Sequence, residues 1–133
     1  MRRLWVAALS MWFVLPGCGD MDRDLPRAYR RLVVPAARLD SPDARARGRE
    51  LFLQHCALCH GDRGDGRGPR REGLTRSPRD FTVASWRHST SARRVFFAVR
   101  EGLQGTPMPN WKALSEGDAW DMTAFVLSLG EAR

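Results

Sequence analysis

The chain has 133 residues and a formal net charge of +7, from 22 basic and 15 acidic side chains. This length supports one domain with a modest core. All basic residues except Lys112 are arginines, and they alternate with acidic residues instead of forming a basic helix interleaved with aromatic side chains. The pattern argues against a nucleic-acid partner and favours a solvated surface that can meet an acidic protein.

The first seventeen residues have the organisation of a secretory signal peptide. Two arginines precede an apolar run over residues 4–15, which is too short to span a bilayer comfortably. The following Leu15-Pro16-Gly17-Cys18 resembles the lipobox of bacterial lipoproteins, in which the chain is cut before the cysteine and the cysteine is acylated. We therefore predict a lipoprotein-type signal over 1–17, export, and a lipid anchor at Cys18 on the periplasmic side of a bacterial membrane. An ordinary secretory signal with Cys18 as a free thiol is the alternative.

Residues 18–40 are polar, contain several arginines and prolines, and lack both helical and strand periodicity. This composition predicts a lipid-anchored tether that lets the following domain swing between docking sites. The alternative, that the segment wraps the surface of the domain, is left open by the sequence. The domain itself is predicted over 41–133.

The first predicted helix of that domain begins at Ser41, a favoured N-cap residue, with Pro42 in the first helical position. Gly48 opens a pattern of positions spaced i, i+3, i+4 and i+7 that ends at His55. The helix therefore leads directly into the next motif.

That motif is Cys56-Ala57-Leu58-Cys59-His60, the spacing of a c-type haem attachment site. Two thiols at this spacing reach the two vinyl groups of a porphyrin, and the adjacent imidazole turns to bind iron. A zinc site would need two further ligands, for which only His55 and His88 remain. A thioredoxin-like redox pair would need a surrounding βαβ pattern, which the sequence lacks. We predict one haem c, covalently attached at Cys56 and Cys59, with His60 as an axial iron ligand.

A second iron ligand is predicted at Met108, which lies between Pro107 and Pro109 in a loop that cannot be helical. A thioether favours ferrous iron, so His/Met ligation raises the reduction potential. His88 is the rival ligand, but it lies in a predicted surface turn. Trp111, which follows the ligand loop, is predicted to line the haem.

The remaining elements are a glycine-rich loop over 61–78 and two further helices. One runs from about Ser91 to Glu101 and stops at Gly102. The last begins at Ser115, and its predicted buried stripe is Met122, Phe125, Val126 and Leu129. No segment alternates as a strand does, so the predicted fold class is all-α.

Together these features resemble the class I cytochromes c over residues 42–129, through the residues Gly48, Phe52, Cys56-Cys59-His60, Gly68-Pro69, Gly-Thr-Pro-Met-Pro at 105–109, and Phe125. The resemblance implies a cytochrome c-like fold with three main helices and long loops around one haem. It implies that the first and last helices cross at Gly48, near Phe52 and Phe125. It also implies that the carbonyl of Pro69 accepts a hydrogen bond from the ligating imidazole.

With His60 and Met108 both on iron, no coordination position is open to a substrate. The predicted function is single-electron transfer in a bacterial respiratory or related chain, without enzymatic activity. The predicted partners are redox proteins such as a membrane respiratory complex, an oxidase or a periplasmic reductase, with Arg63, Arg67 and Arg70 as hypothetical docking contacts. The alternatives are a fixed haem subunit of a membrane oxidoreductase complex, or a haem enzyme or gas sensor without Met108 on iron.

Overall fold

The computed structural model describes residues 20–131, and these residues form helices joined by long loops. The helices are α1 (Arg27–Arg30), α2 (Ala36–Leu39), α3 (Pro42–His55), α4 (Ala57–His60), α5 (Ala84–His88), α6 (Ala92–Glu101) and α7 (Glu116–Leu129). No strand occurs in this part of the chain, which confirms the all-α prediction. None of the helices within 20–131 is long and apolar enough to cross a membrane. The predicted signal peptide and Cys18 lie outside the described residues.

The three main helices begin where the sequence predicts, and each begins with a serine cap. The hydroxyls of Ser41, Ser91 and Ser115 accept hydrogen bonds from the backbone N–H three residues further on, at 3.3, 3.1 and 3.0 Å. Each bond satisfies one of the free N–H groups of a first helical turn. The hydroxyl of Ser115 also donates to the carboxylate of Asp118 at 2.7 Å, so these two residues are joined by a second hydrogen bond.

Helices α3 and α7 cross at Gly48, as the resemblance implies. A Cβ atom at this position would lie only 1.9 Å from the carbonyl oxygen of Asp121, so the backbones of the two helices are in direct contact. Beside the crossing, the rings of Phe52 and Phe125 pack edge to face with centroids 5.3 Å apart. The glycine therefore brings the haem-motif helix close against the last helix.

Helix α7 is buried on more sides than its predicted stripe indicates. Every residue from Ala119 to Leu127 is buried, whereas Leu129, which belongs to the predicted stripe, is only half-buried. The reason is that α7 packs against α2, α3 and α6 at once. Trp120, on the face towards α6, stacks on Phe96 with ring centroids 4.1 Å apart.

Residues 20–40, here called the N-terminal strap, do not form the predicted tether. Leu25 is buried, and the carboxylate of Asp22 accepts a hydrogen bond from the hydroxyl of Ser91. The Arg93 guanidinium donates to the carbonyl of Leu32 at 2.9 Å and lies 3.3 Å from Asp22. The tether interpretation is therefore wrong for residues 20–40, and the segment wraps the domain.

The strap packs on the domain because apolar side chains, placed at intervals among its polar residues, contact the core. The ring of Tyr29 packs edge to face on Phe97 at 4.8 Å, and the apolar residues that contact the core from the strap are Tyr29, Leu32, Val34 and Leu39. Further along, Arg38 forms two hydrogen bonds, of 2.6 and 3.0 Å, with the carboxylate of Asp121. Both kinds of contact hold the strap in place.

Candidate cofactor site

The cysteine motif occupies a break between two helices. Cys56 ends α3 and precedes α4, the single turn that carries Cys59 and His60. All three side chains line one large cavity. Burial, and to a lesser extent the neighbouring Cys59, raises the pKa of Cys56 to about 12.

The imidazole of His60 is held in a defined orientation. Its Nδ1 lies 3.0 Å from the carbonyl oxygen of Arg79, and because a carbonyl only accepts, Nδ1 must carry the proton. The ring stacks on Phe81 at 4.5 Å, and burial lowers the pKa of the imidazole. A neutral ring protonated at Nδ1 leaves the lone pair of Nε2 available to a metal.

Pro69 is not the residue whose carbonyl accepts the hydrogen bond from this imidazole, contrary to the prediction. Pro69 lies by a separate cavity of about 270 Å³, and the carbonyl of Arg79 takes its role. Two backbone hydrogen bonds explain the difference: Gly68 donates to the carbonyl of Cys59 at 3.1 Å, and Arg70 donates to that of Leu58 at 2.8 Å. They hold this part of the loop against the cysteine motif itself, so a later segment reaches the ring.

Met108 lines the same large cavity as the cysteine motif. Its loop folds back on the end of α6: Leu103 donates to the carbonyl of Met108 at 3.3 Å, and the N–H of Met108 donates to the hydroxyl of Thr106 at 3.2 Å. Gly102 makes this return possible because its φ is +69° and a Cβ there would lie 2.8 Å from the carbonyl oxygen of Met108. These contacts hold the loop against the end of α6.

Trp111 also lines the cavity, at the far end of the Met108 loop. The backbone N–H of Trp111 donates to the carbonyl of Val99 at 2.9 Å, and the indole ring packs on the ring of His55 with centroids 4.7 Å apart. His88, the rival ligand, is exposed and does not line the cavity. Of the two predicted alternatives for the second ligand, only Met108 therefore faces the same space as His60.

The cavity measures about 1420 Å³, more than the roughly 300–1,000 Å³ of ordinary small-molecule pockets. Its walls combine apolar side chains with two thiols (Cys56 and Cys59), two imidazoles (His55 and His60) and three thioethers (Met21, Met108 and Met122), and so include the donor set that haem c requires. Within residues 20–131 no group of three or more His, Cys, Asp or Glu side chains is placed to hold a metal ion. The residues present therefore fit a covalently attached haem.

The rim of the cavity carries residues that sequence reasoning missed. Arg76 and Arg94 line it together with Arg70 and Arg79, and Arg94 also binds the strap through the carbonyl of Met21 and the carboxylate of Asp24. Arg63 and Arg67, predicted as docking contacts beside Arg70, line the smaller cavity. The strap contributes to the rim because it is docked, and nothing in its local sequence pattern indicates this.

Comparison with known proteins supports the same chemistry. A family model for cytochrome c matches residues 45–130. Cytochrome c55X of Pseudomonas aeruginosa is 36% identical over 123 residues, which cover 87% of this chain and 76% of that protein. A thiosulfate dehydrogenase of Stutzerimonas stutzeri is 29% identical over 124 residues, 92% of this chain and 38% of the enzyme.

Among solved structures, the chain resembles part of the reducing HAO-like protein complex of Kuenenia stuttgartiensis, with a TM-score of 0.61 and 31% identity. The match covers 67% of this chain and 44% of that one. The chain therefore spans less than half the length of this protein and of the thiosulfate dehydrogenase, and the similarity concerns a domain of each.

Proposed function

The chain belongs to the cytochrome c family, and from this premise we propose that it is a class I, monohaem electron carrier with His60 and Met108 as iron ligands. Membership of the family means that the domain carries covalently bound haem c. The bound haem supplies a change of one electron at its iron. The observation that carries the proposal is that Cys56, Cys59, His60 and Met108 line one cavity.

Each of these residues has a separate task in the proposal. Cys56 and Cys59 hold the porphyrin by thioether bonds. His60 presents Nε2 to the metal because its Nδ1–H is bonded to a carbonyl 3.0 Å away. Met108 would supply the second iron ligand from a loop that hydrogen bonds to Leu103 and Thr106 hold in place. With His60 and Met108 both on iron, no coordination position would remain for a substrate, which favours a carrier over an enzyme.

A second candidate function, that of a haem domain in an enzyme or complex, is favoured by two of the similar proteins. One is named a thiosulfate dehydrogenase, and the other is part of a multi-protein complex. Both functions use the same domain. Purification from native membranes separates them, because a carrier is recovered as a monomer whereas a fixed subunit co-purifies with its complex.

Paired methionine variants test the ligand assignment. Met108→Leu and Met122→Leu both change a thioether lining the cavity to an isosteric alkyl group, a swap that costs less than about 1.5 kcal/mol of stability. We expect Met108→Leu to lose the weak thioether-to-ferric-iron band, lower the reduction potential and bind carbon monoxide. Met122→Leu should retain all three native properties. Indifference of Met108→Leu to carbon monoxide would show that another residue is the ligand.

The location proposed for the protein is the periplasmic face of a bacterial membrane, with Cys18 acylated after cleavage of residues 1–17. The support is the sequence around Cys18 and the family, whose chemistry is typical of the periplasm. Its proposed partners are redox proteins of that compartment: a membrane respiratory complex, an oxidase or a periplasmic reductase. Mass spectrometry of the mature N-terminus tests the anchor: a diacyl or triacyl mass on Cys18 is expected, and an unmodified thiol contradicts it.

A further inference from the structure

The N-terminal strap has an outer face whose composition differs from the rest of the surface. Residues 25–39 contain four arginines and no acidic residue. Arg38 is bound to Asp121, whereas Arg27, Arg30 and Arg31 are exposed and have no ion-pair partner among the described residues. Three cations therefore remain free on this short segment.

The three free arginines lie on one side of the strap. Arg27, Arg30 and Arg31 are spaced i, i+3 and i+4 over α1 and its C-cap, so their side chains share a face of that turn. Tyr29 points the opposite way, into the domain, where its ring packs on Phe97 and its hydroxyl donates to Glu101 at 2.5 Å. One face of the turn is thus anchored and the other is cationic.

An apolar side chain extends this outer face beyond the turn. After Arg31 the chain leaves the helix: Leu32 and Val34 contact the core, whereas Val33 points outwards and is 85% exposed. No other large hydrophobic residue that the structure describes is as exposed as Val33. Exposed arginines beside an exposed apolar side chain are the composition of a segment that lies in a membrane interface.

The position of Cys18 decides which partner suits this face. Only Gly19 separates Cys18 from Asp20, so the Cα atoms of these two residues are at most about 7 Å apart. From Met21 onwards the strap is held to α6, through Arg94 and the contacts of Asp22 with Ser91 and Arg93. An acylated Cys18 would therefore bring the docked strap, and not a free tether, to the lipid surface.

We propose that the outer face of the strap (Arg27, Arg30, Arg31 and Val33) binds anionic lipid headgroups and fixes the orientation of the domain on the membrane. The inference rests on the acylation of Cys18 proposed above. Because Met21 and Asp24 line the rim of the haem cavity, the bound strap also sets where that rim lies relative to the bilayer. A redox partner embedded in the same membrane would then meet one fixed face of the domain.

Thiol accessibility on vesicles tests this orientation. The acylated, haem-loaded protein carrying Val33→Cys, or Arg49→Cys as a reference site on α3, is reconstituted in vesicles of phosphatidylcholine alone or with phosphatidylglycerol. An uncharged, water-soluble maleimide then reports the reaction rate of the new thiol. One label per chain verifies that Cys18, Cys56 and Cys59 are occupied. Extra labels, or no haem spectrum, would signal failure of the proposed function instead.

We expect the thiol at position 33 to react at least tenfold more slowly on anionic than on neutral vesicles, and the thiol at position 49 to react equally on both. The Arg27→Gln/Arg31→Gln pair should abolish most of this protection at low salt, since each arginine near an anionic surface contributes about 1 kcal/mol, and the loss of two weakens the binding equilibrium of the strap by about 30-fold. The matched pair Arg49→Gln/Arg71→Gln, which removes the same charge from exposed residues without ion pairs, should preserve it.

Three results would overturn the proposal. Equal reactivity of positions 33 and 49 on both kinds of vesicle would mean that the strap does not bind lipid, and that its arginines serve a protein partner or none. Equal protection of position 33 on neutral and anionic vesicles would remove the role of charge. Loss of protection in Arg49→Gln/Arg71→Gln but not in Arg27→Gln/Arg31→Gln would place the contact on another face.

Discussion

Replacing Gly48 with alanine perturbs the closest contact of the fold. A Cβ atom at this position would lie 1.9 Å from the carbonyl oxygen of Asp121 and 3.0 Å from the Cβ of Phe125, whereas ordinary van der Waals contact begins at 3.4 Å. The obstacle is backbone, so no change of rotamer relieves it, and α3 and α7 must separate by more than an ångström. Such a gap forfeits roughly a quarter to a half of the dispersion energy of the atoms that part.

The energies of the substitution partly oppose each other. Overpacking of this kind costs about 1–3 kcal/mol, and occasionally more, whereas alanine gains about 1 kcal/mol over glycine in helix propensity. Because the whole helix pair must open, we expect Gly48→Ala to lower the free energy of unfolding by about 2 kcal/mol, and the melting temperature by roughly 10 °C. Urea and thermal unfolding of the haem-loaded protein, followed by circular dichroism, measure both quantities.

A matched control separates the crossing from helix propensity. Gly117 lies in the first turn of α7, and a Cβ there would meet the end of the flexible Arg38 side chain at 3.2 Å and the hydroxyl of Ser115 at an ordinary contact distance of 3.7 Å. Gly117→Ala should therefore leave stability within about 0.5 kcal/mol of the native protein, or raise it by up to about 1 kcal/mol. If Gly48→Ala is no less stable than Gly117→Ala, the close crossing does not exist and the reasoning is refuted.

Two further predictions concern the strap. Asp121→Asn should lower the free energy of unfolding by about 2–3 kcal/mol and make the strap sensitive to limited proteolysis. The reason is that the carboxylate of Asp121, which is only 1% exposed, binds both Arg38 and Arg47. A native digestion pattern would contradict this prediction. Burial, aided by Glu101, raises the pKa of Tyr29 to about 12, so the folded state keeps its phenol proton longer than the unfolded chain does. The resulting contribution to folding stability is complete below about pH 10 and is lost as the pH rises to about 12. In urea unfolding, the free energy of unfolding of Tyr29→Phe should therefore decline less steeply between these pH values than that of the native protein.

The sequence predicts the main helices well because their signals are local. Each of the three begins with a serine whose hydroxyl caps the first turn, and α6 ends at a glycine with a φ of +69°. The cysteine motif likewise depends on spacing within five residues. Met108 could be predicted as a ligand because prolines on both sides exclude helix, which is also a local signal.

The features that the sequence analysis missed depend on contacts between distant segments. The apolar residues of the strap follow no single period, because α1, the stretch after it and α2 each turn them inwards in a different way. The carbonyl that faces the His60 ring belongs to Arg79 and not to Pro69, because backbone hydrogen bonds hold the neighbouring Gly68 on the cysteine motif. Asp121 is buried although charged because two arginines, 83 and 74 residues away in the chain, bind it.

The optical spectrum of the purified protein, expressed with haem-attachment machinery, tests the central claim most directly. We predict sharp c-type bands in the reduced state, a weak thioether-to-iron band at the red end of the oxidised spectrum, and no change with carbon monoxide. This combination would establish haem c ligated by His60 and Met108 as an electron carrier. A c-type spectrum that lacks the red band and shifts with carbon monoxide would contradict the carrier assignment, and the absence of any haem spectrum would contradict the account as a whole.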